Sequence, residues 1–233
     1  MEWTNESRSA VAQENATSGA TEVLERISAL SPFFAAGTGE VPDGRWQPTT
    51  TLRERTTRDH LVTATAERMS TDEMRVAAST VFFAYAARVW SIAIGSVTLS
   101  GRCIGLDPKQ VLWRSDGGTV LLHVAEPRFG DSVAVEVLDR QLEPLVEAWR
   151  DVVAPGLMWG NAASALIGAG RMIGDAALPQ LDALLDDPRL TDSIDRATGM
   201  RRSCCLFYRT ANAGVCGDCP FPTPPARTVN PLL

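Results

Sequence analysis

The sequence predicts an α+β fold, mostly helical, with a small antiparallel β-sheet and a cysteine-rich C-terminal segment. Three observations carry this. A long apolar stretch beginning at Val76 has helical spacing. Two short apolar runs flank the turn residues Ser115-Asp116-Gly117-Gly118. Four of the five cysteines fall within residues 204–219. With 233 residues, 45% of them apolar, the chain can bury a sizeable core.

Residues 1–50 are expected to form an N-terminal extension. Residues 1–20 are small, polar and unpatterned, the composition of a disordered arm. Thr21 to Leu30 can form a short helix, with Val23, Leu24 and Ile27 on one face and Pro32 ending it. Residues 35–50 read as a loop, because Gly37, Gly39, Pro42, Gly44 and Pro48 interrupt any period. Trp46 would anchor that loop to the core.

Residues 51–200 are expected to form a helical α+β domain. Thr51 to Met69 suggests irregular structure or a short helix, with His60 on the surface. Ser70-Thr71-Asp72-Glu73 has a capping-box pattern. The central core helix would start there and run to about Ile94, with Gly95 and Ser96 at its end. Arg88, at its middle, would be a partly buried cation in a structural ion pair. Val97–Leu99 and Gly101–Gly105 read as short extended segments, and Cys103 as a buried, inert thiol. Val111–Arg114 and Thr119–Ala125 form a hairpin, with His123 as a structural strand residue. Ser132 to Leu138 fits strand and helix equally. From Asp139 to Val153 the period is helical, but Pro144 requires a kink or a fresh start near Gln141. Pro155 suits the first turn of a helix running to about Ala169. Its small residues, Gly160, Ala162, Ala163, Ser164 and Ala165, permit close packing on a neighbour. Asn161 on this helix is expected to be buried and hydrogen-bonded to backbone, with a substrate contact as the alternative. A further helix spans about 175–186. Residues 201–222 are the cysteine-rich segment, and 223–233 a proline-rich, extended tail.

A net charge of −6 argues against nucleic acid as a partner. The N-terminus lacks a basic start followed by an apolar block, so a cytoplasmic, reducing location is the expectation, and it disfavours structural disulfides. Val76 to Ser100 is almost long enough to span a bilayer, but a central Arg88 would cost about 2.5–3.5 kcal/mol in lipid. It reads as a buried helix, with membrane association peripheral at most. Dinucleotide, P-loop, HExxH and GxSxG patterns are absent.

The chemistry-bearing motif is C-C-x10-C-x2-C: Cys204, Cys205, Cys216 and Cys219. Four thiolates at this spacing can bind zinc, hold an iron–sulfur cluster or form disulfides. Neighbouring Cys204 and Cys205 point in different directions, which suits two corners of one tetrahedron poorly. A two-iron cluster offers two metal atoms, so adjacent thiolates could serve different irons. Gly214 and Gly217 allow tight turns that aim N–H groups at sulfur, and Pro220 keeps the exit non-helical.

With Arg202 before the pair, Tyr208-Arg209 after it and Cys-Gly-Asp-Cys-Pro closing it, the segment resembles FhuF-like ferric-siderophore reductases. Trp159-Gly160-Asn161 followed by Ala162, Ala163, Ser164 and Ala165 resembles the stretch before the cluster in that family. The resemblance is close over residues 155–222, loose over 60–222 and absent before that. It implies a [2Fe–2S] cluster on Cys204, Cys205, Cys216 and Cys219 that passes one electron to Fe(III) in a hydroxamate siderophore, releasing Fe(II). It also implies a separate electron donor of ferredoxin or flavin-reductase type. Arg202 and Arg209 become candidates for tuning the cluster, with Arg201 equally a solubilising surface residue. Trp159 and Asn161 become candidate substrate contacts. Two alternatives stand beside this reading: a zinc-stapled binding or regulatory protein, and a ferredoxin-like carrier with no substrate site of its own.

Overall fold

Two helices rich in small residues lie along each other at the centre of the molecule. The structure, a computed structural model, describes residues 19–211 and 214–225. Helix α3, Met74–Ser100, buries Ala77, Ala78, Ser79 and Ala86, and helix α5, Pro155–Ile173, buries Gly160, Asn161, Ala162, Ala163 and Ala165. Side chains this short let the two axes approach closely, and this is the most extensive helix contact in the fold. Helix α1 (residues 19–28) and helix α2 (Arg55–Arg68) pack against α3 by Leu24 and Ile27, and by Leu61, Val62 and Ala66. Trp90 and Trp149 are fully buried among them.

The expected bounds of α3 are corrected at both ends. Gly95 does not stop the helix. A Cβ there would lie 3.2 Å from both Ile27 Cγ2 and Phe34 Cδ1, so the missing side chain lets α1 and its following turn seat on α3. The helix runs on to Gly101, whose φ of 72° supplies a left-handed C-cap. At the other end no capping box forms: α3 starts at Met74 with no side-chain cap. The carboxylate of Glu73 is bound instead by Arg209 and Arg75. By length and composition α3 could cross a membrane, but 72% of its apolar window is buried inside the protein. Arg88 has no carboxylate partner among the described residues. Its guanidinium donates to the Pro32 carbonyl and lies 5.8 Å from the Phe33 ring centroid, and burial lowers its pKa.

The sheet has four strands in the order β1-β4-β3-β2. Strands β3 (Val111–Asp116) and β4 (Thr119–Val124) form the expected antiparallel hairpin, closed by Gly117 and Gly118 at φ 53° and 83°. Residues 35–50, expected as a loop, supply both edges. Strand β1 (Ala36–Thr38) runs parallel to β4, and β2 (Gln47–Pro48) antiparallel to β3. The sheet is therefore mixed at one edge. An edge strand needs only main-chain partners on one side, so glycine and proline there hide it from periodicity. Trp46 rests on His123 with ring centroids 5.4 Å apart, which ties the loop to the sheet as expected. His123 is buried and His60 exposed.

Other differences are local. Within Thr51 to Met69, expected as irregular structure or a short helix, a 3-10 turn (Thr49–Arg53) leads into the 14-residue helix α2. Leu99 and Val97 are helical, not extended. Cys103 is buried, and burial followed by the nearby Glu136 pushes its thiol up to about 12, consistent with inertness. The ambiguous stretch after Ser132 becomes a π-helical segment, Ala134–Leu142, followed by α4, Glu143–Trp149, with Pro144 in its first turn. Proline has no N–H to offer the carbonyl four residues back, and that carbonyl, of Arg140, accepts from Arg53 Nη2 at 2.6 Å. Helix α5 continues to Ile173, past the expected end near Ala169. A short 3-10 turn then leads to α6, Leu178–Leu185. The expected disordered arm (1–20) and extended tail (223–233) lie outside the described residues, apart from 19–20 and 223–225.

Buried polar groups fix the π-helical segment. Glu136, fully buried, accepts from the N–H groups of Leu106 and Asp131, each at 2.7 Å, and pairs with Arg140. Gln141 accepts from Tyr85 Oη at 2.6 Å and donates to the Leu106 carbonyl at 2.6 Å. Glu136→Ala would orphan the buried Leu106 N–H, costing about 1–3 kcal/mol. A fall in the urea midpoint at unchanged m-value is the expected outcome, measured by circular dichroism.

Candidate functional site

The cysteine segment is stapled to both central helices. Ser79 Oγ on α3 donates to the Cys205 carbonyl at 2.7 Å. Arg209 Nε bonds the Glu73 carboxylate at 2.7 and 2.8 Å just before α3. On α5, a Cβ at Gly160 would sit 2.0 Å from Ser203 Oγ and 3.4 Å from Ser203 Cβ, so glycine here gives the Ser203 side chain its place on the helix. Ser203 Oγ also donates to the Gly156 carbonyl at 3.3 Å. Within the segment, Arg201 N donates to the Asp218 carbonyl and Cys219 N to the Cys216 carbonyl, which folds the two halves of the motif together. Leu206 takes φ 69°, a left-handed conformation uncommon for a residue with a side chain. That bend points its N–H at Cys204 Sγ, 3.3 Å away.

Two of the four thiols meet directly: Cys205 Sγ is 3.3 Å from Cys216 Sγ. Cys204 Sγ instead accepts the Leu206 N–H, so the adjacent Cys204 and Cys205 face different partners, as expected of neighbouring side chains. Among the described residues no three His, Cys, Asp or Glu side chains converge tightly enough to hold a single metal ion. Main-chain N–H groups do reach sulfur, but at Cys204 (from Leu206) and Cys219 (from Phe221, 3.5 Å), not at the glycine-flanked Cys216.

Cys216 receives a stronger donor. Arg201 Nη2 lies 3.0 Å from Cys216 Sγ and 2.9 Å from Asp218 Oδ1, and Nη1 donates to Asn161 Oδ1 at 2.7 Å. Arg201 is only 4% exposed. Burial works against its charge, but Cys205, Asp218 and Cys216 outweigh it and raise the pKa. In the cofactor-free chain the Cys205–Cys216 pair shares one proton: the hydrogen bond from Cys216, opposed by burial and helped by Arg201, holds Cys205 well below the usual thiol range. Cys216 is pushed up for the complementary reason. Burial raises Cys204.

A cavity of about 430 Å³ opens on the Cys205–Cys216 side. Its walls are mostly apolar, with Phe83, Ile167 and Phe207, and it includes Thr80, Ser164, Arg171 and Arg201. This is the size and character of a small-molecule site. Cys204 and Cys219 do not line it.

Of the candidate residues, the four cysteines and Asn161 come together. Asn161 is buried and bonds main chain, as expected, through Nδ2 to the Ser79 carbonyl at 3.1 Å. It touches Arg201 and does not line the cavity. Trp159 is half-buried, packs on the core and is likewise outside the cavity wall. Arg209 lies in the segment but spends its charge on Glu73. Arg202 is exposed, and its N–H bonds the Ser193 carbonyl. The guanidinium at the sulfurs belongs to Arg201. Residues 201 and 202 lie on extended chain bridged to Ile194, so adjacent side chains face opposite ways. One of the two had to turn inward, and no sequence signal says which. Ser79 and Phe83 were invisible for a different reason: on a helix buried all round, every face reads as core.

Residues 201–221 match the family model described as the FhuF 2Fe-2S C-terminal domain. No curated protein matches the chain. The match at residues 201–221 points to a [2Fe–2S] cluster as the cofactor of the cysteine segment. The donor set fits that cofactor: four thiols on one short segment, two of them 3.3 Å apart, with N–H and guanidinium donors already aimed at three of the sulfurs.

Two outcomes are expected. Gly160→Leu should displace Ser203 and the segment, so that the purified protein loses most of its bound iron while keeping its far-ultraviolet circular dichroism. In the cofactor-free, reduced chain, one thiol, Cys205, should react with iodoacetamide ahead of the others at pH 7. A lowered pKa means that this thiolate persists until the pH falls below the usual thiol range by a wide margin. The lead should shrink on acidification and in Arg201→Met, as followed by peptide mass spectrometry.

Proposed function

We propose that this FhuF-type iron–sulfur protein is a ferric-siderophore reductase, passing one electron to Fe(III) held in a hydroxamate chelate and releasing Fe(II). Cys204, Cys205, Cys216 and Cys219 would hold the cluster, two thiols to each iron. When bound, a cluster of this kind accepts and gives up one electron at a time. The observation that carries the reading is the cavity beside Cys205 and Cys216. A carrier that only meets other proteins has no need of a pocket large enough for part of a small chelate, so the cavity favours a reductase over a ferredoxin-like carrier.

The substrate chemistry suits a one-electron step. Hard, anionic oxygen ligands hold Fe(III) far better than Fe(II), so a single electron loosens the metal without breaking the chelator. The chain's own contribution is positional. Phe83, Ile167 and Phe207 give the docked chelate an apolar wall and exclude water from the cysteine side. Arg201 places a cation at the Cys216 sulfur, which favours an added electron there. No general acid or base is required at the metal. The electron would come from a separate ferredoxin or flavin-reductase type donor, and the setting would be the cytoplasm.

Electron paramagnetic resonance of anaerobically purified, dithionite-reduced protein tests the reading. One unpaired spin per chain and two irons per chain are expected. Cys216→Ser, with unchanged circular dichroism, should lose most of the reduction of a ferric trihydroxamate, followed by ferrous chelation with a colorimetric trap. Full activity in that variant, or colourless iron-free wild type, overturns the reading.

A further inference from the structure

Asn161 is buried between α3, α5 and the cysteine segment, 1% exposed, and every one of its polar bonds has a forced direction. Its Nδ2 faces the Ser79 carbonyl at 3.1 Å, which can only accept. Nδ2 also faces Ser79 Oγ at 2.9 Å, whose own proton is committed to the Cys205 carbonyl at 2.7 Å. The amide therefore cannot flip, and Oδ1 must point at Arg201 Nη1, 2.7 Å away. The bonds run as one chain from the Cys205 carbonyl through Ser79, Asn161 and Arg201 to the Cys216 sulfur.

We propose that Asn161 is a positioning residue that holds the Arg201 guanidinium on Cys216 and thereby sets the reduction potential of the cluster. The inference rests on the cluster reading above. Arg201 Nη2 is contested: Cys216 Sγ lies 3.0 Å away and the Asp218 carboxylate 2.9 Å away. A carboxylate attracts a guanidinium more strongly than a shared thiolate does, so Arg201 left to itself would shift toward Asp218 and cancel its charge there. The Asn161 carbonyl oxygen, on the other nitrogen, is the counterweight. Its anchor is main chain of a buried helix, so it does not yield. With Arg201 on the sulfur, a positive charge and an N–H donor favour the reduced cluster, which carries one more negative charge.

The test is a double-mutant cycle read by potentiometric titration of the cluster signal in the full, cluster-loaded chain. Asn161→Leu keeps the side-chain size and removes the acceptor. It should make reduction about tenfold less favourable, a fall of ~59 mV for one electron. In an Arg201→Met background the same substitution should give no further shift, because Asn161 then has nothing to position. An unchanged potential in Asn161→Leu overturns the proposal. So does an equal shift with and without Arg201, which is what a merely structural role predicts. Should Asn161→Leu fail to load the cluster, Ser79→Ala, which removes one of the two anchors of Asn161, goes through the same cycle. Because it also frees the Cys205 carbonyl, only the part of its shift that depends on Arg201 counts: that part should be smaller and of the same sign, and its absence overturns the proposal. A wild-type chain with no cluster overturns the parent reading, whereas a loaded cluster indifferent to Asn161 overturns only this one.

Discussion

A guanidinium buried against sulfur is the interaction around which the rest of this protein is arranged. Taking a cation out of water is costly by several kcal/mol unless its N–H groups find charged or polar acceptors. Arg201 finds Asn161 on α5, Asp218 from the far half of the cysteine motif, and Cys216 itself. Those acceptors come from two distant parts of the chain, α5 and the second half of the cysteine motif, and Arg201 itself precedes the first half. Burying this one side chain therefore requires that helix, loop and thiols all arrive at the same point. Asp218 offsets much of the charge, and the Cys205–Cys216 proton sharing is the response of the cofactor-free thiols to what remains.

The scaffold supplies what that arrangement needs, namely close approach and rigidity. Small residues on α3 and α5 bring two backbones near enough for Ser79 and Asn161 to touch. Gly160 then leaves room for Ser203, so that the segment lies on α5 rather than above it. On the other side of α3, Tyr85 reaches Gln141 in the π-helical segment, which in turn holds Leu106 and Thr49. Two sets of buried polar groups are thus tied together, one through Tyr85 and Gln141 and one under the cysteines, with α3 shared by both. The cavity lies on the sulfur side, walled by residues of α3, α5 and the segment.

Several elements were legible because they depend only on local chemistry. The hairpin closed by Gly117-Gly118, the start of α5 at Pro155 and the fresh start at Pro144 follow from the φ preferences of glycine and proline. The parting of Cys204 from Cys205 follows from the geometry of adjacent residues. Elements that depend on a partner were misread. Gly95 looked like a helix stop and is a contact point for Ile27 and Phe34. Glu73 looked like a capping residue and is the partner of Arg209. The edge strands of residues 36–48 were hidden because their stability lies in β3 and β4.

By itself, then, the sequence determined the kind of site: four thiols, their spacing, and the cofactor chemistry such a set can support, all of which are properties of residue type and short chain segments. Only the tertiary structure decided that Arg201 and not Arg202 faces the sulfurs, that Asn161 serves this arginine, and that Cys205 and Cys216 alone open on a cavity. Those outcomes depend on which way a side chain points when two helices and a loop close on one another. That direction is set by contacts more than a hundred residues apart, such as Ser79 with Cys205, and no local pattern encodes it.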